Sequence, residues 1–266
     1  MRKTIVSGAL ALAALAAGAF GVGAESLGNF ENQYKLPERH WHFQGPFGTY
    51  DRAAAQRGYQ VYATVCASCH SLEQLAYRNL MDLGLTEAQV KGLIKDIQVP
   101  DLGDDGQPIE RPARLSDRFK KPFPNALAAA AANNGKAPPD LSVMTLARED
   151  GPNYVYGLLT GYVPTDKLTP EQVKAFDVKP DDNFNKYFPG HKIGMPPPLS
   201  EGSVTYVDGT KPTLEQEAAD VVEFLSWAAE PKMEDRKRTG VRVILFLLVF
   251  AGLLYAVKRS VWADKH

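Results

Sequence analysis

Cys66-Ala67-Ser68-Cys69-His70 decides how this chain is read. Two thiols two residues apart, followed at once by a histidine, form the c-type haem attachment pattern. Each thiol can add to one vinyl group of a single haem, and the adjacent imidazole can then lie under the ring as the proximal iron ligand. Covalent attachment keeps the group in place while the iron changes oxidation state. A thioredoxin-like redox pair would need a βαβ setting. Here the pattern follows a stretch, Asp51 to Val65, that reads as an amphipathic helix, with Ala54, Gly58, Val61 or Tyr62, and Val65 on one face. A zinc site needs four ligands. The remaining histidines, His40, His42, His191 and His266, supply no second paired knuckle. Both cysteines of the chain lie in the pattern, so no disulfide framework exists.

Outward from this motif, the 266 residues are 44% hydrophobic and 23% charged, with a formal net charge of −1. That balance excludes a disordered chain and gives no basic footprint for nucleic acid. The near-neutral total hides two opposite halves. Residues 25–229 hold 20 Lys and Arg against 27 Asp and Glu, about −7, whereas the C-terminal part is basic. Residues 1–24 read as a secretory signal peptide: Arg2 and Lys3, an Ala- and Leu-rich run, then Val22-Gly23-Ala24 for cleavage. Near the other end Val243 to Val257 is free of charge, with Arg236, Lys237, Arg238 and Arg242 before it and Lys258 and Arg259 after it. A helix over 239–262 would span ~36 Å, enough to cross a bilayer. Counting flanking basic residues would put the N-terminal side in the cytoplasm, but a cleaved signal exports a long body regardless of loop charge. The expected layout is a signal peptide over 1–24, an exported body over 25–235, a transmembrane helix over 239–262 and a cytoplasmic tail over 263–266.

Within the body, residues 25–50 suit an ordered extended segment. Capping boxes at Thr86–Gln89 and Thr169–Gln172 open two short helices, the second with Pro170 at its first position. Residues 99–125 read as loop. Ala126–Ala132 is helix-prone and is stopped by Asn133-Asn134-Gly135, and Tyr154–Leu159 forms another short helix. Pro189 to Ser200 is a rigid loop, and a hairpin is expected near Val204–Lys211. Thr213 caps the last soluble helix, whose inner face is Ala218, Val221, Val222 and Leu225 and which Pro231 ends. The body is therefore mainly α with long loops, and loops this long usually serve a site or a large ligand.

The sixth iron ligand separates electron transfer from gas or peroxide chemistry. A filled position needs little reorganisation, and a methionine there raises the potential. Met1 leaves with the signal peptide and Met233 is too near the membrane. Met81 and Met144 read as core filling. Met195, in Gly194-Met195-Pro196-Pro197-Pro198, sits in a loop stiffened by prolines. It is the favoured ligand on pattern, with His191 and His40 as rivals.

Several segments together resemble the cytochrome c1 family, the haem subunits of the cytochrome bc1 complex. They are Gly58-x3-Tyr62-x3-Cys66 through Ser71, Tyr77-Arg78, Asn133-Asn134-Gly135 with Pro138-Pro139-Asp140-Leu141-Ser142, Leu158 through Tyr162, Tyr187 through Gly190, Gly194-Met195-Pro196, and Phe224-Leu225-x-Trp227-Ala228-Ala229-Glu230-Pro231. The resemblance covers nearly all of residues 40–262, and the signal peptide and short tail point to a bacterial member. It implies a mainly α, c-type cytochrome fold with long loop insertions plus one C-terminal transmembrane helix. It also implies one covalently bound haem c on Cys66 and Cys69, with His70 and Met195 as axial ligands. Around the haem it places Asn133, Pro138, Pro139, Arg148, Tyr154, Leu158, Leu159, Phe188, Ile193 and Pro198, with Arg148 facing a propionate. Gly58 would let the first and last soluble helices cross closely, with Phe224 or Trp227 against Tyr62. The extra cysteine pair of some bacterial relatives is missing.

The implied role is a one-electron carrier in the inner membrane with its haem domain in the periplasm, non-catalytic by itself. Its partners would be cytochrome b, the Rieske iron–sulfur protein and a soluble or membrane-tethered c-type cytochrome. Asp101, Asp104, Asp105, Glu149 and Asp150 are candidates for an acidic docking surface. The alternatives are a membrane-tethered haem sensor or peroxidase with an open sixth position, or the haem subunit of another membrane oxidoreductase.

Overall fold

Asp51 opens the first helix in a computed structural model that describes residues 34–265. The signal peptide expected over 1–24 and His266 lie outside the described residues. The Asp51 carboxylate accepts the N–H of Ala54 at 3.1 Å and starts α1, Arg52–Thr64. Further helices follow: α2 Glu87–Ile94, α3 Ala126–Ala132, α4 Gly151–Thr160, α5 Pro170–Ala175, α6 Leu214–Ala229 and α7 Met233–Trp262. The expected capping boxes form, with Thr86 accepting from Gln89 N–H and Thr169 from Gln172 N–H. Two small sheets complete the fold. One is a hairpin of β1, Gln98–Leu102, and β2, Pro108–Pro112. The other is an antiparallel three-stranded sheet of β3, Tyr162–Val163, β4, Asn183–Asn185, and β5, Lys192–Ile193.

The described chain divides into two compact units. The larger holds residues 38–156 and 199–265, and the smaller holds 34–37 and 157–198. The larger unit is built on the packing of α1 against α6. Gly58 makes it possible: a Cβ there would lie 1.9 Å from the carbonyl oxygen of Asp220 and 2.7 Å from Phe224 Cβ. Tyr62 packs on Phe224 at 5.7 Å between ring centroids, so of the two residues considered Phe224 makes the contact, and Trp227 lies behind it at 5.8 Å. Arg57 closes the same crossing with two hydrogen bonds of 2.9 Å to the buried Asp220 carboxylate. The inner face of α1 is Ala55, Gly58, Tyr59, Val61 and Tyr62. Gly58, Val61 and Tyr62 lie there as expected, but Ala54 and Val65 give way to Ala55 and Tyr59, because Tyr59 packs edge-on against both Phe119 and Phe224.

Four further expectations change. Residues 99–125 are not all loop, since β1 and β2 pair across an Asp104-Asp105-Gly106 turn in which Gly106 takes φ +75°. Val204–Lys211 forms no strand. The Glu217 carboxylate captures the N–H of Val204 at 2.9 Å, and Asp208 accepts from Thr210 N–H, so ladder donors are spent on side chains. Met81 is 37% exposed rather than core. The last helix begins already at Met233, because Glu234 and Lys237 tie its first turns to the body.

Candidate functional site

The attachment motif occupies the turn that ends α1. Val65 N–H still bonds to Val61 O, and then Cys69 and His70 N–H both turn back to Cys66 O, at 3.1 and 2.9 Å. One tight 3₁₀ turn thus carries both thiols and the imidazole. The two cysteines are free and half-buried. Burial pushes the Cys66 thiol up to about 12, so in free form this cysteine is a neutral thiol. Among the described residues no group of three or more His, Cys, Asp or Glu is placed to hold a metal ion.

His70 Nδ1 lies 2.7 Å from the carbonyl oxygen of Pro139. A carbonyl only accepts, so Nδ1 carries the proton and Nε2 keeps its lone pair. Burial pulls the imidazole below its ordinary range, against the opposing pull of Pro139 O and Asp140, so the ring is neutral at pH 7. The Pro139 carbonyl is itself fixed by its neighbour. Asp140 accepts from Ser71 Oγ and Glu73 N–H at 2.8 Å each and from Ser142 N–H at 2.9 Å. Leu141 N–H bonds to Ser71 O, and Gln74 N–H to Ser142 Oγ. Burial works against the Asp140 charge, but the donors from Ser142, Glu73 and Ser71 outweigh it and hold this carboxyl below the usual range. Tyr62 Oη adds a bond to His70 O at 3.2 Å. Asp140 and Tyr62 are residues that motif reading did not place in the site. The only sequence signal was Asp140 two residues before Ser142, an Asx-turn spacing.

Of the other expected residues of the larger unit, Asn133, Pro138, Pro139 and Arg148 lie on exposed or half-buried loops, and the half-buried Tyr154 lies on α4. Asn133 caps α3, its Nδ2 donating to Ala129 O at 2.8 Å, and Asn134 and Gly135 take positive φ beyond it. Pro138 and Pro139 follow. Arg148 is exposed, and its guanidinium donates to the adjacent Ala147 O at 3.0 Å. Its charge opposes the effect of burial on the Tyr154 phenol, which is raised.

In the smaller unit, Met195 is half-buried in the loop that follows β5, two residues beyond Ile193. Tyr162, on β3, donates from its hydroxyl to the Met195 carbonyl at 3.0 Å. The sheet is braced by Asn185, whose Nδ2 donates to Leu158 O at 2.7 Å and whose Oδ1 accepts from Tyr187 N–H. Leu159 is buried, while Leu158, Phe188, Ile193 and Pro198 are half-buried. The rival ligand His191 is enclosed. Its ring packs on Phe176, Phe184 and Tyr34, at 4.4, 5.4 and 5.7 Å, and its Nδ1 donates to Asn185 O. The other rival, His40, lies in the larger unit and is exposed. Sequence reading missed Tyr162, because nothing local links a strand tyrosine to a methionine loop.

The donor chemistry fits haem c. Two thiols and an imidazole with a free Nε2 lone pair share one turn, and a thioether stands in a proline-stiffened loop. With a C-terminal helix apolar enough to cross a membrane, this defines the class: a membrane-anchored c-type cytochrome. The profile of the "Cytochrome C1 family" matches residues 41–265. Cytochrome c1 of Rhodospirillum rubrum is 43% identical over 99% of both chains. Cytochrome c1 of Blastochloris viridis is 41% identical over 91% of this chain and 92% of its own. Cytochrome b/c1 of Bradyrhizobium diazoefficiens is 46% identical over 99% of this chain, which spans only 41% of that relative. The chain belongs to the cytochrome c1 family. It is a membrane-anchored electron-transport protein that carries covalently bound haem c.

Proposed function

We propose that this chain is the haem relay of a bacterial quinol–cytochrome c oxidoreductase. It takes single electrons from the Rieske iron–sulfur protein and passes them to a soluble or membrane-tethered c-type cytochrome. The observation that carries this reading is the His70 Nδ1 to Pro139 O bond, which presets an imidazole as ligand on the turn that holds both thiols. Haem, when bound, supplies a one-electron iron couple. The chain's residues do the rest. Cys66 and Cys69 would tether it, and His70 and Met195 would ligate its iron. Asn133, Pro138, Pro139, Tyr154, Leu158, Leu159, Phe188, Ile193 and Pro198 line the ring and exclude water, and the exposed Arg148 guanidinium pairs a propionate. By itself the chain catalyses no bond chemistry.

The placement proposed is a signal peptide over 1–24, a periplasmic body over 25–235, a helix through the inner membrane and a short cytoplasmic tail. The relative named cytochrome b/c1 agrees with a cytochrome b partner. For the acceptor, the acidic surface narrows. Asp101 is ion-paired with Arg111, which leaves Asp104 and Asp105 at the β1–β2 turn and Glu149 and Asp150 before α4, all exposed. Affinity purification of the full chain from membranes tests the reading. Cytochrome b and a Rieske protein should co-purify, and a quinol should reduce the haem c of the complex. A purified chain that brings neither partner, or a haem c that quinol leaves oxidised, overturns it.

A further inference from the structure

Where α7 leaves the larger unit, the turn Gly45-Pro46-Phe47-Gly48 lies against its first turns. An open notch of about 320 Å³ separates them, with Phe47, Lys237, Arg238, Val241 and Arg242 among its lining. The acid in the notch is already spent. Glu234 takes two hydrogen bonds from Arg52, at 2.9 and 2.8 Å, and one from Tyr50 N–H at 2.8 Å. Lys237 is a strut: its ammonium donates to Phe43 O at 2.6 Å and Gly48 O at 3.1 Å, and so fixes the turn on the helix. Arg238 and Arg242, one turn apart and exposed, are less committed: among the described residues Arg238 makes a loose, exposed 3.7 Å pair with Asp235 and a through-space attraction to Glu234, which Arg52 already neutralises. At the rim Phe47 is 79% exposed. The uncharged run of α7 begins at Val243, immediately after Arg242, so the notch lies at the depth of the lipid headgroups.

We propose that this notch binds the headgroup of an anionic phospholipid. The phosphate sits on Arg238 and Arg242, and Phe47 and Val241 contact the glycerol and the upper acyl chains. A net cationic, apolar-rimmed pocket at that depth matches a phosphodiester with two hydrocarbon tails, whereas a free anion would have no use for Phe47. The bound lipid sets the height of the body above the bilayer, since the turn is bolted to α7 through Lys237 and Glu234.

The test uses the full-length, haem-loaded protein in phosphatidylcholine vesicles doped with phosphatidylglycerol bearing a photoactivatable group near the glycerol. Adducts should map to residues 45–49 and 237–242. They should fall about tenfold in Arg238→Gln/Arg242→Gln, while adducts near Lys258 and Arg259 stay unchanged. Phe47→Ser, which leaves helix and arginines intact, should also lower the notch adducts. Equal labelling by a phosphatidylcholine probe, or labelling unchanged in the double variant, overturns the proposal. Loss of labelling in excess inorganic phosphate would reassign the notch to small anions and equally overturn it.

Discussion

The His70 turn and the Met195 loop, which we propose serve the same iron, are held by different means. The histidine turn is stitched by a carboxylate: Asp140 gathers donors from Ser71, Glu73 and Ser142 and so fixes Pro139 O against His70 Nδ1. The methionine loop relies on stiffness. Prolines follow Met195, and one neutral phenol, Tyr162, bonds to its carbonyl. A charge-assisted network of several bonds costs more to break than one neutral bond. The sulfur side is therefore the side that yields first under alkali, heat or competing ligands.

The largest expected effect removes the anchor common to both. Cys66→Ala with Cys69→Ala should leave haem, if bound at all, extractable by acid–acetone, where the parent protein keeps its pigment on the polypeptide. Next, Met195→Leu should lower the haem midpoint potential by on the order of 100 mV and admit carbon monoxide to the reduced protein. An unchanged potential would move the sixth ligand elsewhere. Asp140→Asn should cost about 1–2 kcal/mol of stability in chemical denaturation at pH 7. The sign with pH follows from the depressed carboxyl. Its contribution is complete above the ordinary carboxylate range and is lost as pH falls through the lower folded value, so the variant should show a flatter acid limb. Smallest is Tyr162→Phe, with a loss of about 1 kcal/mol. The methionine should then detach at lower pH in an alkaline titration followed by absorbance, while the histidine side is unmoved. Equal sensitivity of both sides would erase the contrast.

Much of this was legible locally. The Cys66–His70 spacing and the caps at Thr86, Thr169 and Thr213 depend on neighbours within four residues, and each cap forms as the sequence predicts. The close crossing at Gly58 came with the family resemblance, and the structure shows its reason: a Cβ there would meet the Asp220 carbonyl. What escaped depended on distant partners. The β1–β2 ribbon was hidden by Pro100, Pro108 and Pro112, which an isolated two-stranded ribbon tolerates because each strand is an edge. The hairpin expected at Val204–Lys211 was lost to Glu217, a buried carboxylate supplied by α6. Tyr162 reaches a carbonyl 33 positions away, and Asp140 organises residues 67 to 69 positions away. No periodicity or propensity encodes such pairs.

Iron K-edge X-ray absorption of the purified oxidised protein tests the axial assignment most directly. A single sulfur scatterer beside the nitrogen shell, absent in Met195→Leu, is the predicted result. A first shell of nitrogen and oxygen alone, or a sulfur signal that persists in the variant, would contradict it.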